Sequence, residues 1–320
     1  METLNRKNFL KLLGVSSLAM LSSKTSAECI FNAFEDKKPS STPLRLAHLT
    51  DIHIQPGLES EKGFAACLHA VNGLTQKPDL ILNGGDAIMN EAFTFSKEKV
   101  KKQWELFHKM MVTENSLPVH HCIGNHDLYG WAMPSSSSDE SKLLAMDEYK
   151  IKKPYYAMQH KKWKFIVLDS IRPKNSVPGY YAQLDDEQLI WLKDELQNTP
   201  KDVFICIVSH VPILAVCTLF EGSNKNKKTW NIPNNSLHAD AGELTALFYQ
   251  YPNVKACLSG HIHMIDHVNY LGVDYYCNGA VSGSWWKGSH HQFPPSFSMM
   301  NFFDDGKVTR DVNYYNWNLS

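Results

Sequence analysis

The sequence lacks the charge imbalance that is typical of proteins that bind nucleic acids or anionic membranes. Its 320 residues contain 32 lysines and arginines against 33 aspartates and glutamates, so the formal net charge at pH 7 is −1. Binding to a phosphate backbone or an anionic lipid surface as the main activity needs a large basic excess. We therefore expect no nucleic-acid partner.

Paired cysteines are also missing. The seven cysteines are odd in number and include no Cys-x-x-Cys pair, which argues against a disulfide scaffold or a zinc ribbon. Four of them lie inside apolar runs, where a free cysteine behaves as a small hydrophobic residue. We predict that these four belong to the core: Cys122, Cys206, Cys257 and Cys277.

Several catalytic loops do not occur. The chain has no Gly-x-Ser-x-Gly elbow of a serine hydrolase, no Walker loop of a nucleoside triphosphatase and no Gly-x-Gly-x-x-Gly loop of a dinucleotide-binding fold. With 43% hydrophobic residues the composition is nevertheless that of an ordinary globular protein.

The first 27 residues have the order of a secretory signal peptide. Basic residues occupy positions 6, 7 and 11, a short apolar run covers 12–21, and Thr25-Ser26-Ala27 resembles a cleavage site. The run has about half of the roughly 20 apolar residues that a transmembrane anchor needs. We predict export to the periplasm or the extracellular space, with residues 28–43 as a linker and 44–320 as a single catalytic domain. An ordinary N-terminal helix is the alternative.

The export route is a separate question. Residues 5–11 resemble a twin-arginine signal in which Lys7 replaces the second arginine. Cys29 could indicate a lipoprotein anchor, but Glu28 before it fits such a site poorly.

Alternating strand and helix patterns predict an α/β protein with a mixed sheet, because consecutive strands occur near residues 254–315. Spacings of three and four predict helices around residues 64–74 and 100–111. Asp185 with Gln188 forms a capping box that opens another helix, and a fourth covers 243–249. The predicted strands are Leu44–Thr50, Asp79–Asn83, Val119–Ile123, Trp163–Asp169, Val203–Ser209, Val254–Ser259 and Val273–Cys277.

Polar clusters follow five of these strands directly, and α/β folds place their ligand sites at such strand ends. Carboxylate and imidazole together suit Mn, Fe or Zn, whereas Mg and Ca favour oxygen alone. Any one cluster could arise by chance or serve a structural role, but five in succession predict a metal site. The clusters are Asp51-Ile52-His53, Gly84-Gly85-Asp86, Gly124-Asn125-His126-Asp127, Ser209-His210 and Gly260-His261-Ile262-His263.

This order of motifs resembles the calcineurin-like metallophosphoesterase superfamily over residues 44 to about 280. The stretch from Gly179 to Leu196 is weakly similar to members related to bacterial cyclic-nucleotide phosphodiesterases. The resemblance implies a four-layer α/β/β/α sandwich with two mixed sheets and a pair of divalent metal ions at the strand ends. It also implies which residues bind them: Asp51, His53, Asp86 and His263 at one metal, and Asp86, Asn125, His210 and His261 at the other.

The same resemblance implies that His126 is the catalytic histidine and that a carboxylate orients it, for which Asp127 is the candidate. One position departs from the family, whose second motif often reads Gly-Asp-x-x-Asp. Here Met89 stands in the place of the second aspartate, with Asn90 one residue later. A contact to His126 is therefore expected to be lost or replaced.

Two cations about 3.5–4 Å apart polarise a phosphoryl group and lower the pKa of a bridging water toward neutrality, so no covalent nucleophile is needed. We predict a hydrolase of small phosphoesters, with a phosphodiesterase preferred to a phosphomonoesterase or pyrophosphatase. A non-catalytic metal-binding scaffold is the alternative from another class. It is disfavoured because every ligand position is filled.

Tryptophans in a glycine-rich loop form the most unusual stretch outside these motifs. Trp285 and Trp286 could stack on a nucleobase or another flat group, or they could pack in the core.

The remaining histidines also fall into two groups, one structural and one near the site. His48, His120 and His121 are predicted to pack beside strands, while His290 and His291 lie in a loop that could touch substrate.

Overall fold

The computed structural model describes five ranges of the chain and one further residue: 42–90, 96–130, 138–174, 179–221, 228–315 and residue 317. Within them the first sheet has the order β13-β12-β1-β2-β3. Its strands are β1 (Leu44–Leu49), β2 (Leu80–Asn83), β3 (Val119–His121), β12 (Ser296–Phe302) and β13 (Val308–Tyr314). Strands β1, β2 and β3 are parallel, and β12 and β13 extend the sheet in antiparallel fashion.

The second sheet has the order β10-β11-β9-β8-β5-β4. Its strands are β4 (Tyr156–His160), β5 (Trp163–Val167), β8 (Phe204–Val208), β9 (Val254–Ser259), β10 (Asp266–Tyr270) and β11 (Val273–Cys277). The four central strands are parallel, and β4 and β10 are antiparallel edges. A small ribbon pairs β6 (Ile171–Pro173) with β7 (Tyr180–Ala182).

Helices cover the outer face of each sheet. They are α1 (Leu58–Asn72), α2 (Lys97–Glu114), α3 (Ser138–Tyr149), α4 (Asp186–Asn198) and α5 (Ala241–Tyr249), and a short 3₁₀ helix spans Cys217–Phe220. Asp185 caps α4 as the sequence predicts, since its side chain accepts from the Gln188 amide at 2.7 Å. The Gln188 side chain does not complete the capping box but binds the backbone of Asp169.

Three hydrophobic layers produce the four-layer sandwich. Alternation along each strand sends one set of side chains between the sheets and the other set onto the helices. Leu46 and Phe165, for example, lie in the layer between the sheets, whereas Ala47 packs toward α1 and α2 and Ile166 toward α4 and α5. The predicted α/β/β/α architecture with two mixed sheets is thereby confirmed.

Three further findings concern particular segments. The four cysteines predicted to be core residues are buried. Helix α3 was not predicted, because its apolar residues do not share one face: Leu143 is exposed while Ala145 is buried. No helix of the described ranges is long and apolar enough to cross a bilayer. The predicted signal peptide and most of the predicted linker lie outside the described residues.

Candidate metal centre

All the predicted ligands meet at one edge of the sandwich. The first sheet supplies Asp51 and His53 after β1, Asp86 after β2 and Asn125 after β3. The second sheet supplies His210 after β8, and His261 and His263 after β9. Because the two sheets present the carboxyl ends of their parallel strands to the same edge, the clusters converge although they are up to about 200 residues apart in sequence.

One group contains Asp51, His53 and His263, whose ligand atoms lie within 4.8 Å of one another. The Nε2 atoms of His53 and His263 are 3.1 Å apart. Oδ1 of Asp51 lies 3.3 Å from His263 Nε2 and 3.8 Å from His53 Nε2. This oxygen is buried and has no hydrogen-bond partner among the described residues. A buried carboxylate oxygen aimed at two imidazole nitrogens fits a divalent cation between them.

A second group contains Asp86, His210 and His261 within the same distance limit. His210 Nε2 lies 3.2 Å from Asp86 Oδ2 and 3.2 Å from Asn125 Oδ1, so the amide oxygen lies beside this group. Asp86 Oδ2 is also 3.7 Å from His53 Nε2. The one oxygen therefore lies between the two groups, where a bridging ligand is needed.

Hydrogen bonds to the backbone determine which nitrogen each histidine offers. Nδ1 of His210 donates to the Gly84 carbonyl at 2.8 Å, and Nδ1 of His263 donates to the Gly283 carbonyl at 2.6 Å. Both leave Nε2 as the nitrogen for a metal. His261 does the opposite, since its Nε2 donates to the Asn235 carbonyl at 2.9 Å. Such outer contacts orient metal-binding imidazoles and raise their basicity.

The electrostatic potential at this edge of the sandwich favours cations. Desolvation lowers the pKa of His210, but the nearby Asp86 carboxylate outweighs it and raises that pKa to about 9. Desolvation and the neighbouring His210 lower the pKa of His261 to about 3. Desolvation raises the pKa of Asp86, but His210 and His126 outweigh it and hold this pKa well below its usual value. The carboxylates are therefore ionised, and a metal would replace protons that His210 otherwise holds.

Backbone strain accompanies the ligands. Residues Asp51, His53, Asp86, His261 and His263 all have positive φ, between 50° and 70°. Non-glycine residues rarely adopt this region, and such strain concentrates at functional sites. The glycine before His261 is required by space, because a Cβ on Gly260 would lie 2.0 Å from Thr50 Oγ1. The Gly-His-x-His pattern is thus a packing requirement as well as a ligand pattern.

His126 and Asp127, the candidate catalytic pair, lie in different surroundings. A ring nitrogen of His126 belongs to a group with His53 and Asp86 within 4.8 Å, and its Nδ1 donates to the carbonyl of Met89 at 2.5 Å. This contact comes from the main chain of Met89, the residue that stands in the place of the second aspartate of the Gly-Asp motif. His126 therefore lies at the edge of the metal centre, and its catalytic role stays a prediction.

Asp127 does not orient the His126 ring through its carboxylate, as the sequence had suggested. Its two oxygens accept hydrogen bonds from the backbone amides of Gly124, Asp86 and Ala87 at 2.8–2.9 Å. The carboxylate thereby ties the loop after β3 to the loop after β2. Desolvation and the Asp86 charge raise the pKa of Asp127 to about 7.

Trp285 and Trp286 have different surroundings, one at the metal centre and the other in the core. Trp286 is 4% exposed, donates from Nε1 to the His53 carbonyl at 3.0 Å and packs against Gly63, so it belongs to the core. The Trp285 ring centroid lies 4.5 Å from that of His263 and 6.0 Å from that of His53. His290 contacts both Trp285 and His263. Trp285 and His290 therefore border the metal centre.

Residues 44–264 match the calcineurin-like phosphoesterase family, and the chain belongs to that family. A 3',5'-cyclic-nucleotide phosphodiesterase of Nostoc sp. is 25% identical over 289 residues, which cover 87% of this chain and 94% of that protein. The 3',5'-cyclic adenosine monophosphate phosphodiesterase CpdA of Escherichia coli is 26% identical over 227 residues, covering 69% of this chain and 70% of the relative. A dimetal phosphatase from Danio rerio has the same fold, with a TM-score of 0.58 at 14% identity over 86% of this chain and all of the other.

Family membership and the clustered histidines and aspartates define a hydrolase of phosphoric esters that depends on divalent metal ions. The predicted superfamily and the predicted class of enzyme are confirmed.

Proposed function

We propose that the protein is a phosphodiesterase that cleaves small phosphodiesters at a centre of two divalent metal ions. The observation that carries the two-metal centre is the position of Asp86 Oδ2 between His53 Nε2 and His210 Nε2. The preference for diesters is supported by the relatives in Nostoc and Escherichia coli, whose names describe cyclic-nucleotide phosphodiesterases.

The residues present fit the two ions. Asp51, His53 and His263 would hold one, Asn125, His210 and His261 the other, and Asp86 both. Mixed carboxylate, amide and imidazole donors favour Mn, Fe or Zn. When bound, such a pair neutralises phosphoryl oxygens and lowers the pKa of a water molecule that attacks phosphorus in line with the leaving oxygen.

The protein's own groups would then position the ester and move the proton. His126 is half-buried at the rim of the centre, and its Nδ1 hydrogen is bound by the Met89 carbonyl, so in the doubly protonated ring Nε2 is the nitrogen that can give a proton to the leaving oxygen. Trp285 borders the same centre and offers a flat surface to a nucleobase or aryl group of the ester.

A substrate comparison tests this proposal. Protein reconstituted with Mn²⁺ is assayed on bis(p-nitrophenyl) phosphate and 3',5'-cyclic AMP against p-nitrophenyl phosphate and pyrophosphate. We expect a higher kcat/KM for the diesters. A preference for the monoester or for pyrophosphate would instead make the protein a phosphatase that uses the same ligands.

We also propose that the chain is exported. The support is the order of basic, apolar and small residues within positions 1–27. Mass spectrometry of protein secreted by a bacterial host should find an N-terminus near Glu28, and a cytosolic pool that retains Met1 would contradict export.

A further inference from the structure

Three side chains outside the metal centre have the arrangement of a Ser-His-Asp triad. Ser209 Oγ lies 3.0 Å from His238 Nε2, and His238 Nδ1 lies 2.9 Å from Asp240 Oδ1. The side chain of His238 is fully buried and that of Asp240 is 8% exposed. We refer to Ser209, His238 and Asp240 as the buried triad.

The buried triad is not placed for nucleophilic catalysis. Ser209 is 3% exposed, and its Oγ also lies 2.7 Å from the Val211 carbonyl. A nucleophile has to reach the substrate, and this hydroxyl faces the protein interior. Its neighbour in sequence is the metal ligand His210, so the triad is attached directly to the strand end that carries the site.

The triad joins this strand end to the segment 234–240. The same segment is bound to β7 at two points, since Ala182 donates to the Asn234 carbonyl and Ala239 donates to the Ala182 carbonyl. His238 donates its own amide to the Pro212 carbonyl at 3.0 Å. The triad and these backbone bonds together fix the path of the segment across the metal edge.

The segment carries the carbonyl that binds His261. Asn235 O accepts from His261 Nε2 at 2.9 Å, and the Tyr180 hydroxyl of β7 lies 3.3 Å from the same nitrogen. A carbonyl only accepts, so the hydrogen of the neutral ring is on Nε2. The lone pair is then on Nδ1, the opposite choice to His210 and His263.

From these contacts we propose that the buried triad is a positioning device that holds the Asn235 carbonyl against His261. The carbonyl selects the His261 tautomer with its hydrogen on Nε2, and this tautomer presents Nδ1 to the second metal. The inference rests on the proposed two-metal centre and is independent of which ester is cleaved. His238 is the central member, because it contacts both other side chains.

Histidine NMR of the metal-free protein tests the tautomer without any activity measurement. Long-range ¹H–¹⁵N spectra, with the His261 ring assigned by comparison with His261→Gln, should show the hydrogen on Nε2 in the wild type. His238→Ala should give a mixture of tautomers. A His261 ring with its hydrogen on Nδ1 in the wild type would overturn the proposal, even if two metals bind.

Metal titration provides the second measurement. Calorimetry with Mn²⁺ should show that His238→Ala weakens one of two binding events by roughly 10- to 100-fold and leaves the other nearly unchanged. His238→Gln, whose amide can still reach Ser209, should recover part of the loss. If His238→Ala bound both Mn²⁺ ions as tightly as the wild type, the positioning role would be contradicted. If the wild-type protein bound only one ion, the proposed two-metal centre would be contradicted instead.

Two further variants serve as control and as safeguard. His267→Ala removes a similar but exposed His-Asp pair, in which His267 of the edge strand β10 lies 2.9 Å from Asp274 of β11, and should leave both metal affinities unchanged. Ser209→Ala removes only one hydroxyl of the buried triad and leaves the His238 ring in place. Should His238→Ala fail to fold, Ser209→Ala must still weaken the same single binding event, and an unchanged titration would count against the proposal.

Discussion

The backbone amide of His126 donates to Oδ1 of Asp86 at 2.7 Å. This contact occupies one carboxylate oxygen and leaves Oδ2 facing both His53 and His210. The candidate catalytic histidine and the candidate bridging ligand are therefore fixed to each other through the main chain, independently of the His126 ring.

Asp86→Ala should lower metal occupancy at both positions, because Oδ2 is shared. Metal analysis by mass spectrometry should find about two ions per wild-type chain and far fewer in the variant. Asp202→Ala, at an exposed carboxylate, is the matched control and should bind like the wild type. Two ions in the Asp86 variant would exclude the bridge.

His126→Ala should keep its metals and lose rate. If Nε2 protonates the leaving oxygen, kcat should fall by roughly 10²- to 10⁴-fold, and less for esters with acidic leaving groups. Met89→Ala is the control, because the contact to His126 comes from the carbonyl of residue 89 and not from its side chain. Equal losses for all leaving groups would indicate charge stabilisation, and no loss would remove His126 from the mechanism.

Asp127→Asn should destabilise the protein. Asparagine has one accepting oxygen, and its amino group would face a backbone amide that now donates to Asp127. An unsatisfied buried donor costs about 1–3 kcal/mol. Denaturant unfolding of the metal-free protein measures this, with Asp202→Asn as control. An unchanged midpoint would mean that Asp127 does not secure the two loops.

The two adjacent tryptophans should respond differently to truncation. Trp286→Ala should lower the free energy of unfolding by about 3–5 kcal/mol, because it empties a core position. Trp285→Ala should leave stability nearly intact and raise KM for nucleotide or aryl diesters, with little change for small alkyl diesters. A Trp285 variant with wild-type KM for every ester would assign this ring to packing as well.

His121 should make stability depend on pH. Burial, with smaller effects from His120 and His108, lowers its pKa from 6.5 to about 3, so the folded state keeps the ring neutral while the unfolded state takes up a proton. The contribution of the neutral ring to the free energy of unfolding is complete above pH 6.5 and is lost as the pH falls toward 3. Between pH 8 and pH 5 the wild type should lose about 2 kcal/mol more than His121→Gln. Parallel pH profiles for the two proteins would show that His121 titrates normally.

The positions of the candidate ligands could be predicted from sequence because each one follows shortly after a strand, and the carboxyl ends of the parallel strands of both sheets meet at one edge. Asp51 and His263 are separated by over 200 residues, yet the order of the motifs was enough to place them together. The backbone contacts around them could not be predicted in this way. A carbonyl such as that of Met89 or Asn235 belongs to every residue type and has no mark in the sequence.

The tryptophans and helix α3 show a second limit. Trp285 and Trp286 both adopt positive φ, at 49° and 65°, so adjacent side chains leave the chain in directions that no helix or strand period describes. In α3, Leu143 is exposed and Ala145 is buried, so the apolar residues do not mark the buried face of the helix. Local irregularity, rather than weak hydrophobicity, is what sequence patterns miss in this chain.

Each candidate metal position draws donors from both sheets: Asp51 and His53 face His263, and Asn125 faces His210. Neither sheet alone carries a complete coordination sphere, so a full set of donors exists only after the sheets have packed together. Metal capture is therefore expected to be a late event in folding, and a bound ion would cross-link the two halves of the sandwich. Chelation should accordingly loosen the contact between the sheets before either sheet unfolds, and bound metal should raise the free energy of unfolding by mass action.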